Sequence, residues 1–197
     1  MRMDAAALRA LNVLRQRQDP NDTFSLYGLM NRARTPMGKR LLLRWLKQPL
    51  LEVEQINERH DVVEAMVGDV DLRERLRSVQ LRALPDIERL ARKLERRKTT
   101  LQDLCRLYQA AAQLPLISDA LAQHESPAAA LLDKLYVLPL RTAHDGEHLG
   151  KFESLIESAV DLDRVPDDYL ITSTFDPELK TLQATKDQIQ VEIDKVC

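Results

Sequence analysis

From Thr35 onward the apolar residues Leu41, Leu42, Trp45 and Leu46 recur at the spacing of one helical face, with charged residues between them. Thr35 followed by Pro36 predicts a sharp start: the hydroxyl caps an orphan N–H, and proline at the first helical position loses no needed donor. Pro49 ends the segment. Ile56, Val63 and Val67, with Arg59 and His60 between them, then continue at helical spacing to Gly68, after which "DVDLRERLRSV" begins again. Upstream, Asp4 caps "AAALRAL", Asp19, Pro20 and Asn21 supply a turn, and Ser25 opens a second short helix. Downstream, Pro85, Pro115, Pro127 and Pro139 punctuate the chain and isolate "DIERLARKLERR", "LQDLCRLYQAAAQL" and "AAALLDKLYVL" as separate amphipathic segments. After Pro166, "DDYLITSTF" alternates β-branched and aromatic residues and is the one strand-like stretch. Asp176 and Pro177 repeat the cap-plus-proline signal. They open a segment from Glu178 to Cys197 in which Leu182, Ile189 and Val196 lie seven apart, with Leu179 and Ile193 beside them. No fixed repeat supports a solenoid.

Composition agrees with helix. The chain has 197 residues, 44% hydrophobic, only 4% aromatic, with five glycines, which suits an all-α fold with a buried core. A formal net charge of -2 argues against a free-standing nucleic-acid binder, which needs a basic excess to displace counterions. Cys105 and Cys197 lie far apart without C-x-x-C spacing, which reads as a reducing compartment rather than a disulfide framework. No run of 18 apolar residues and no signal-peptide core is present, so the expected compartment is cytosol or nucleus.

Candidate chemistry is sparse. "HDGEH", His144 to His148, matches the H-x-x-E-H zinc-peptidase pattern, but that chemistry needs both imidazoles on one regular helix. Asp145 and Gly146 read better as a cap and first turn, leaving His144 outside the helix. His60, Asp61 and Glu64 read as a solvated helix face. No G-x-S-x-G, Ser-x-x-Lys or phosphate loop occurs, so an enzyme is not expected. The run Arg89 to Lys98 holds six cations spread around Leu90 and Leu94, the pattern of a half-buried helix with a solvated face. Trp45 and Cys105, among apolar neighbours, are expected in the core.

The stretch "SLYGLMNRARTPMGKRLLLRWLKQPL" followed by "INERHDVVEAM" resembles the core of the MutS family of DNA mismatch-repair proteins. The family pattern falls on Thr35, Met37, Gly38, Arg40, Trp45, Leu46, Pro49, Leu50, Ile56 and Arg59, in order. Further resemblance covers nearly the whole chain, from "MDAAALRALNVL" through "LPDIERLARKLERR", "LYQAAAQLP" and "HLGKFESLIESAVDLD" to "FDPELKTL". It resembles the eukaryotic member that serves as the common subunit of the mismatch-recognition heterodimers.

The resemblance implies an all-α, multi-helical core or lever domain over 1–197: a lead-in segment over 1–23, a helical core over 24–165, and the start of a truncated lever helix over 176–197, with at most one short extended segment. It implies that Thr35, Pro36, Met37, Gly38, Arg40, Trp45, Leu46, Pro49, Leu50, Ile56 and Arg59 form a rigid junction that passes ATP-dependent rearrangement between ATPase and DNA-clamp ends. No catalytic, cofactor or metal residue is carried over: the mismatch-reading Phe-x-Glu motif is not "FES" at Phe152, and ATP and Mg belong to the parent protein. Implied partners are mismatched double-stranded DNA through the parent, another MutS homologue in a heterodimer, and MutL-type proteins. The implied compartment is the nucleus. The competing reading is an independent helical protein-interaction module. The truncation predicts that Leu182, Ile189, Ile193 and Val196 form an exposed apolar stripe.

Overall fold

The computed structural model of the chain describes residues 3–145 and 147–196, the side chains of 147, 148, 195 and 196 excepted. The fold is all-α; among the described residues the only β contact is an isolated antiparallel bridge between Val160 and Ile171. That bridge is what becomes of the strand-like stretch: Asp161 N–H donates to Leu170 O at 3.0 Å and Thr172 N–H to Ala159 O at 2.8 Å. Six of the helix starts among the described residues are ones that capping side chains dictate. Asp4, Ser25, Thr35, Asp69, Asp86 and Thr100 each accept a first-turn N–H in front of α1 (Ala5–Ala10), α2 (Leu26–Met30), α3 (Pro36–Lys47), α5 (Val70–Arg75), α7 (Ile87–Glu95) and α8 (Leu101–Ala122). Between them run α4 (Val53–Gly68) and α6 (Leu81–Ala83); after them come α9 (Ala129–Leu132), α10 (Leu138–Asp145), α11 (Glu147–Ala159) and α12 (Pro177–Val196).

The spine is α8. A capping box fixes its start: Asp103 N–H donates to Thr100 Oγ1 at 3.2 Å, and Thr100 N–H returns to the Asp103 carboxylate at 3.3 Å. Its first half contributes Cys105 to a cluster with Ile156 and Val160, bordered by Tyr108, Phe152 and Tyr169. Its second half contributes Ile117, Ala120 and Leu121 to another with Leu72, Leu76 and Val137. One long helix thereby joins two hydrophobic centres, and the buried Ala110 and Ala111 let neighbouring helices come close.

Two of the four punctuating prolines do not break helices. Pro115 lies inside α8, although an interior proline removes an N–H and costs about 3 kcal/mol. Burial of the helix on both sides of it outweighs that local cost. Pro139 lies inside α10, directly after a π turn, Asp133–Val137, in which Leu138 N–H reaches back to Asp133 O. The wider turn relieves the collision between the ring and the preceding carbonyls. A second π turn, Leu76–Gln80, joins α5 to α6 and brings Gln80 inward, where its side-chain N–H donates to Leu116 O at 3.0 Å. Pro85 and Pro127 do fall between helices.

His144 lies outside α11, the helix that carries His148, as expected, but within the helix before it. It belongs to the last turn of α10, with Nε2 3.5 Å from Glu153 Oε2 and Nδ1 3.2 Å from Asp145 Oδ1. Helix α10 ends at Asp145, where the cap was expected, and α11 begins at Glu147. Gly146 and Cys197 lie outside the described residues, as do the side chains of His148 and Val196.

Candidate functional site: the junction from Thr35 to Arg59

The junction begins with a close contact. Thr35 is 9% exposed, and its hydroxyl accepts the Gly38 N–H at 3.0 Å, with Pro36 at the first helical position. A Cβ on Gly38 would stand 3.0 Å from Thr35 Oγ1 and 3.3 Å from Ala33 Cβ, so the turn is tight there. The demand is stricter one element earlier, where a Cβ on Gly28 would fall 1.6 Å from Asp22 O.

Beyond the cap, α3 buries little. Met37, Leu46, Pro49, Leu50 and Ile56 are each half-buried, and Leu41 is exposed. Trp45 is half-buried as well, which corrects the expectation that it is core. Helical spacing does place it on an apolar stripe, but that stripe stays only partly covered, with no residue of α3 fully buried. Its ring is instead roofed by the Arg59 guanidinium, 3.5 Å from the ring centroid. This stack ties α3 to α4 across the Pro49 bend. Cys105, by contrast, is buried as expected at 1% exposure, and burial pushes its thiol pKa above the ordinary value.

The residue that anchors the junction is Arg40. Its two terminal nitrogens each lie 2.7 Å from an Asp86 carboxylate oxygen, and Nε lies 3.0 Å from Glu88 Oε2. The hydrogen bonds from Arg40 hold the Asp86 carboxyl below the usual carboxylate range, against the opposing effect of burial. Asp86 also caps α7, accepting the Arg89 N–H at 3.2 Å. One guanidinium therefore locks the face of α3 onto the start of a helix 46 residues away in sequence.

A second polar lock joins the start of α5 to the end of α8. Asp69 accepts Leu72 N–H at 2.8 Å and pairs with His124 Nδ1 at 2.8 Å. The backbone bond first, and then the imidazole, draw the Asp69 pKa below the usual carboxylate range. The lock borders a cavity of about 870 Å³ lined by Asp61, Glu64, Asp71 and Glu125. Asp61 and Glu64 thus share a surface, but His60 does not line it. Among the described residues, no three His, Cys, Asp or Glu side chains come together in a way that could hold a metal ion. In α7, Leu90 is buried as the spacing predicted, Leu94 is 47% exposed, and Lys93 is tied to Asp103 at 2.7 Å.

Sequence reasoning singled out Arg40 but neither of its partners, and missed the pairing of Asp69 with His124. Pro85 marked the amphipathic segment that begins at Asp86. Nothing local marked that aspartate as the counter-ion of a residue on α3.

A rigid helical scaffold without a nucleophile or phosphate cradle among these residues is what the junction offers, and comparison with known proteins gives it a place. A family model described as MutS domain III matches residues 6–189. The chain belongs to the MutS domain III family. It is 43% identical over 198 residues to the DNA mismatch repair protein MSH2 of Arabidopsis thaliana, a match covering 100% of this chain and 21% of that protein. The MSH2 of Zea mays is 42% identical over 97% of the chain and 20% of its own length. The msh-2 protein of Neurospora crassa is 37% identical, covering 98% and 21% respectively. The chain therefore spans about a fifth of the length of the curated relatives it matches. Among the described residues of this MutS domain III, no helix is long and apolar enough to cross a membrane.

Proposed function

We propose that this MutS domain III is the non-catalytic lever of a larger MSH2-like protein, passing ATP-dependent rearrangement between the ATPase and the DNA-clamp ends. The parent binds mismatched double-stranded DNA, uses ATP and Mg held outside this chain, pairs with another MutS homologue, engages MutL-type proteins, and works in the nucleus. The observation that carries this reading is the match of residues 6–189 to MutS domain III. Two features of the fold support it. Arg40 and the Trp45–Arg59 stack make a stiff elbow, and force passes through packed elements with discrete arrangements rather than through soft linkers. Along α12, Leu182, Ile189 and Ile193 are 65%, 52% and 50% exposed, an apolar row that suits packing against a second helix.

The decisive experiment uses Arg40→Ala in the full-length parent. Mismatch affinity without nucleotide and basal ATP hydrolysis stay within about twofold, while ATP-triggered release of mismatched duplex slows about tenfold or more, the loss of a coupling of about 1.4 kcal/mol. Unchanged release would overturn the lever reading. The isolated chain adds a control: at about 0.15 M salt it hydrolyses no ATP and binds mismatched and matched duplex equally weakly. Submicromolar, mismatch-selective binding by the isolated chain would also overturn it.

A further inference from the structure

Arg40 consumes the carboxylates that would otherwise neutralise its surroundings. Its guanidinium engages both acids at the start of α7, Asp86 and Glu88. Farther along α7 and at its C-cap, Arg89, Arg92 and Arg96 are spaced three and four residues apart, which sets them in one row on the helix surface. All three are exposed, and their guanidinium groups make no ion pair among the described residues. The same spacing on α3 puts Arg44 and Lys47 on the face of Arg40, again with no ion-pair partner among the described residues. Arg40, at the head of the α3 row, is thus bridged to the start of the helix that carries the other row. The excess is local: residues 1–50 hold ten Lys and Arg against three Asp, in a chain whose net charge is -2.

We infer that these two rows dock an acidic helical segment of the parent polypeptide that lies outside these 197 residues. The inference rests on the reading above, in which about four-fifths of the parent lies beyond this chain. Three observations select that occupant. Cations at helical spacing repeat about every 5.4 Å, and carboxylates three or four residues apart on a facing helix repeat at the same interval. Guanidinium forks match carboxylates in bidentate geometry, as Arg40 already does with Asp86. Leu41, 41% exposed, flanks the α3 row and gives an apolar anchor that a protein helix covers and a sugar–phosphate backbone does not; Leu94 lies on the opposite side of α7, beside the buried Leu90, and takes no part.

The test is a crosslink map of the full-length parent. Arg89→Lys, Arg92→Lys and Arg96→Lys keep the charge and supply amines; a zero-length carbodiimide then joins those amines, and the native Lys47, to carboxylates in contact. The expected result is intramolecular crosslinks from at least two of these positions to Asp or Glu residues beyond this chain, three or four residues apart. Lys47 needs no substitution, so misfolding of the lysine variant does not excuse a negative result. Crosslinks confined to this chain, crosslinks only between molecules, or none at all overturn the inference. A second arm addresses nucleic acid. Arg92→Ala with Arg96→Ala in the parent leaves the salt dependence of homoduplex binding unchanged, whereas a fall in the log–log slope of about one per residue marks a phosphate contact and overturns the acidic-helix reading. The map does not depend on mismatch release. Normal Arg40-dependent release without crosslinks defeats the docking surface alone, and crosslinks with release insensitive to Arg40→Ala defeat the lever alone.

Discussion

Val137 is 0% exposed and sits in a π turn, yet its side chain is the one that α10 and its preceding turns plant between α8 and α5. Val137→Ala removes two carbon groups from a site closed by Leu72, Leu76, Ile117, Ala120 and Leu121. At about 0.8 kcal/mol per buried methylene, the transfer loss is about 1.6 kcal/mol. A residual void of about 40 Å³ at about 24 cal/mol per Å³ adds roughly 1 kcal/mol, because helices pinned on three sides collapse only partly. The expected loss is about 2.5 kcal/mol, or about 5–10 °C in Tm for a chain of this size. Urea unfolding followed by far-UV circular dichroism measures it, with the m-value unchanged. Val79→Ala is the control: it lies in the other π turn but is 65% exposed, and it should change stability by less than about 0.5 kcal/mol. Equal losses for the two variants, or a loss below about 0.5 kcal/mol at Val137, would refute the account in which α8 and its neighbours share a closed core.

Asp69, Asp86 and Asp103 all have carboxyl pKa values below the usual range, drawn down first by the Leu72 N–H, by Arg40 and by Lys93 respectively. A depressed carboxyl contributes stability that is complete above its unfolded pKa of about 3.9 and is lost as pH falls through the folded value, so the urea midpoint should hold near pH 5–7 and drop below about pH 4. Asp86→Asn should flatten part of that drop, and an unaltered acid profile would refute the assignment. Trp45→Ala should cost about 1–2 kcal/mol, less than a core tryptophan, since the ring is half-buried and the Arg59 stack is worth about 0.5–1 kcal/mol; a loss above about 3 kcal/mol in chemical denaturation would restore the core assignment. Cys105, buried and with a raised thiol pKa, should resist iodoacetamide in the native protein and react once urea unfolds it, as read by peptide mass. Alkylation of native Cys105 at the rate of a free thiol would place it at the surface.

Local chemistry determined a good deal of this chain. Helix starts at Asp4, Ser25, Thr35, Asp69 and Thr100 follow from side chains that satisfy first-turn donors within three residues. The all-α class follows from helical periodicity with few glycines and aromatics, and the apolar row on α12 follows from heptad spacing. The motif between Thr35 and Arg59 carried the family as well. Where the sequence misled, the cause was in each case a long-range term. Pro115 and Pro139 carry a fixed local cost, and only burial against distant helices and a π turn decides whether a helix continues through them. Trp45 lies on an apolar stripe, and a stripe says which face is apolar without saying whether anything covers it. Arg40 meets Asp86 and His124 meets Asp69 across 46 and 55 residues. Charge and hydrogen bonding depend on distance in space, and for these pairs that distance exists only after the helices have packed.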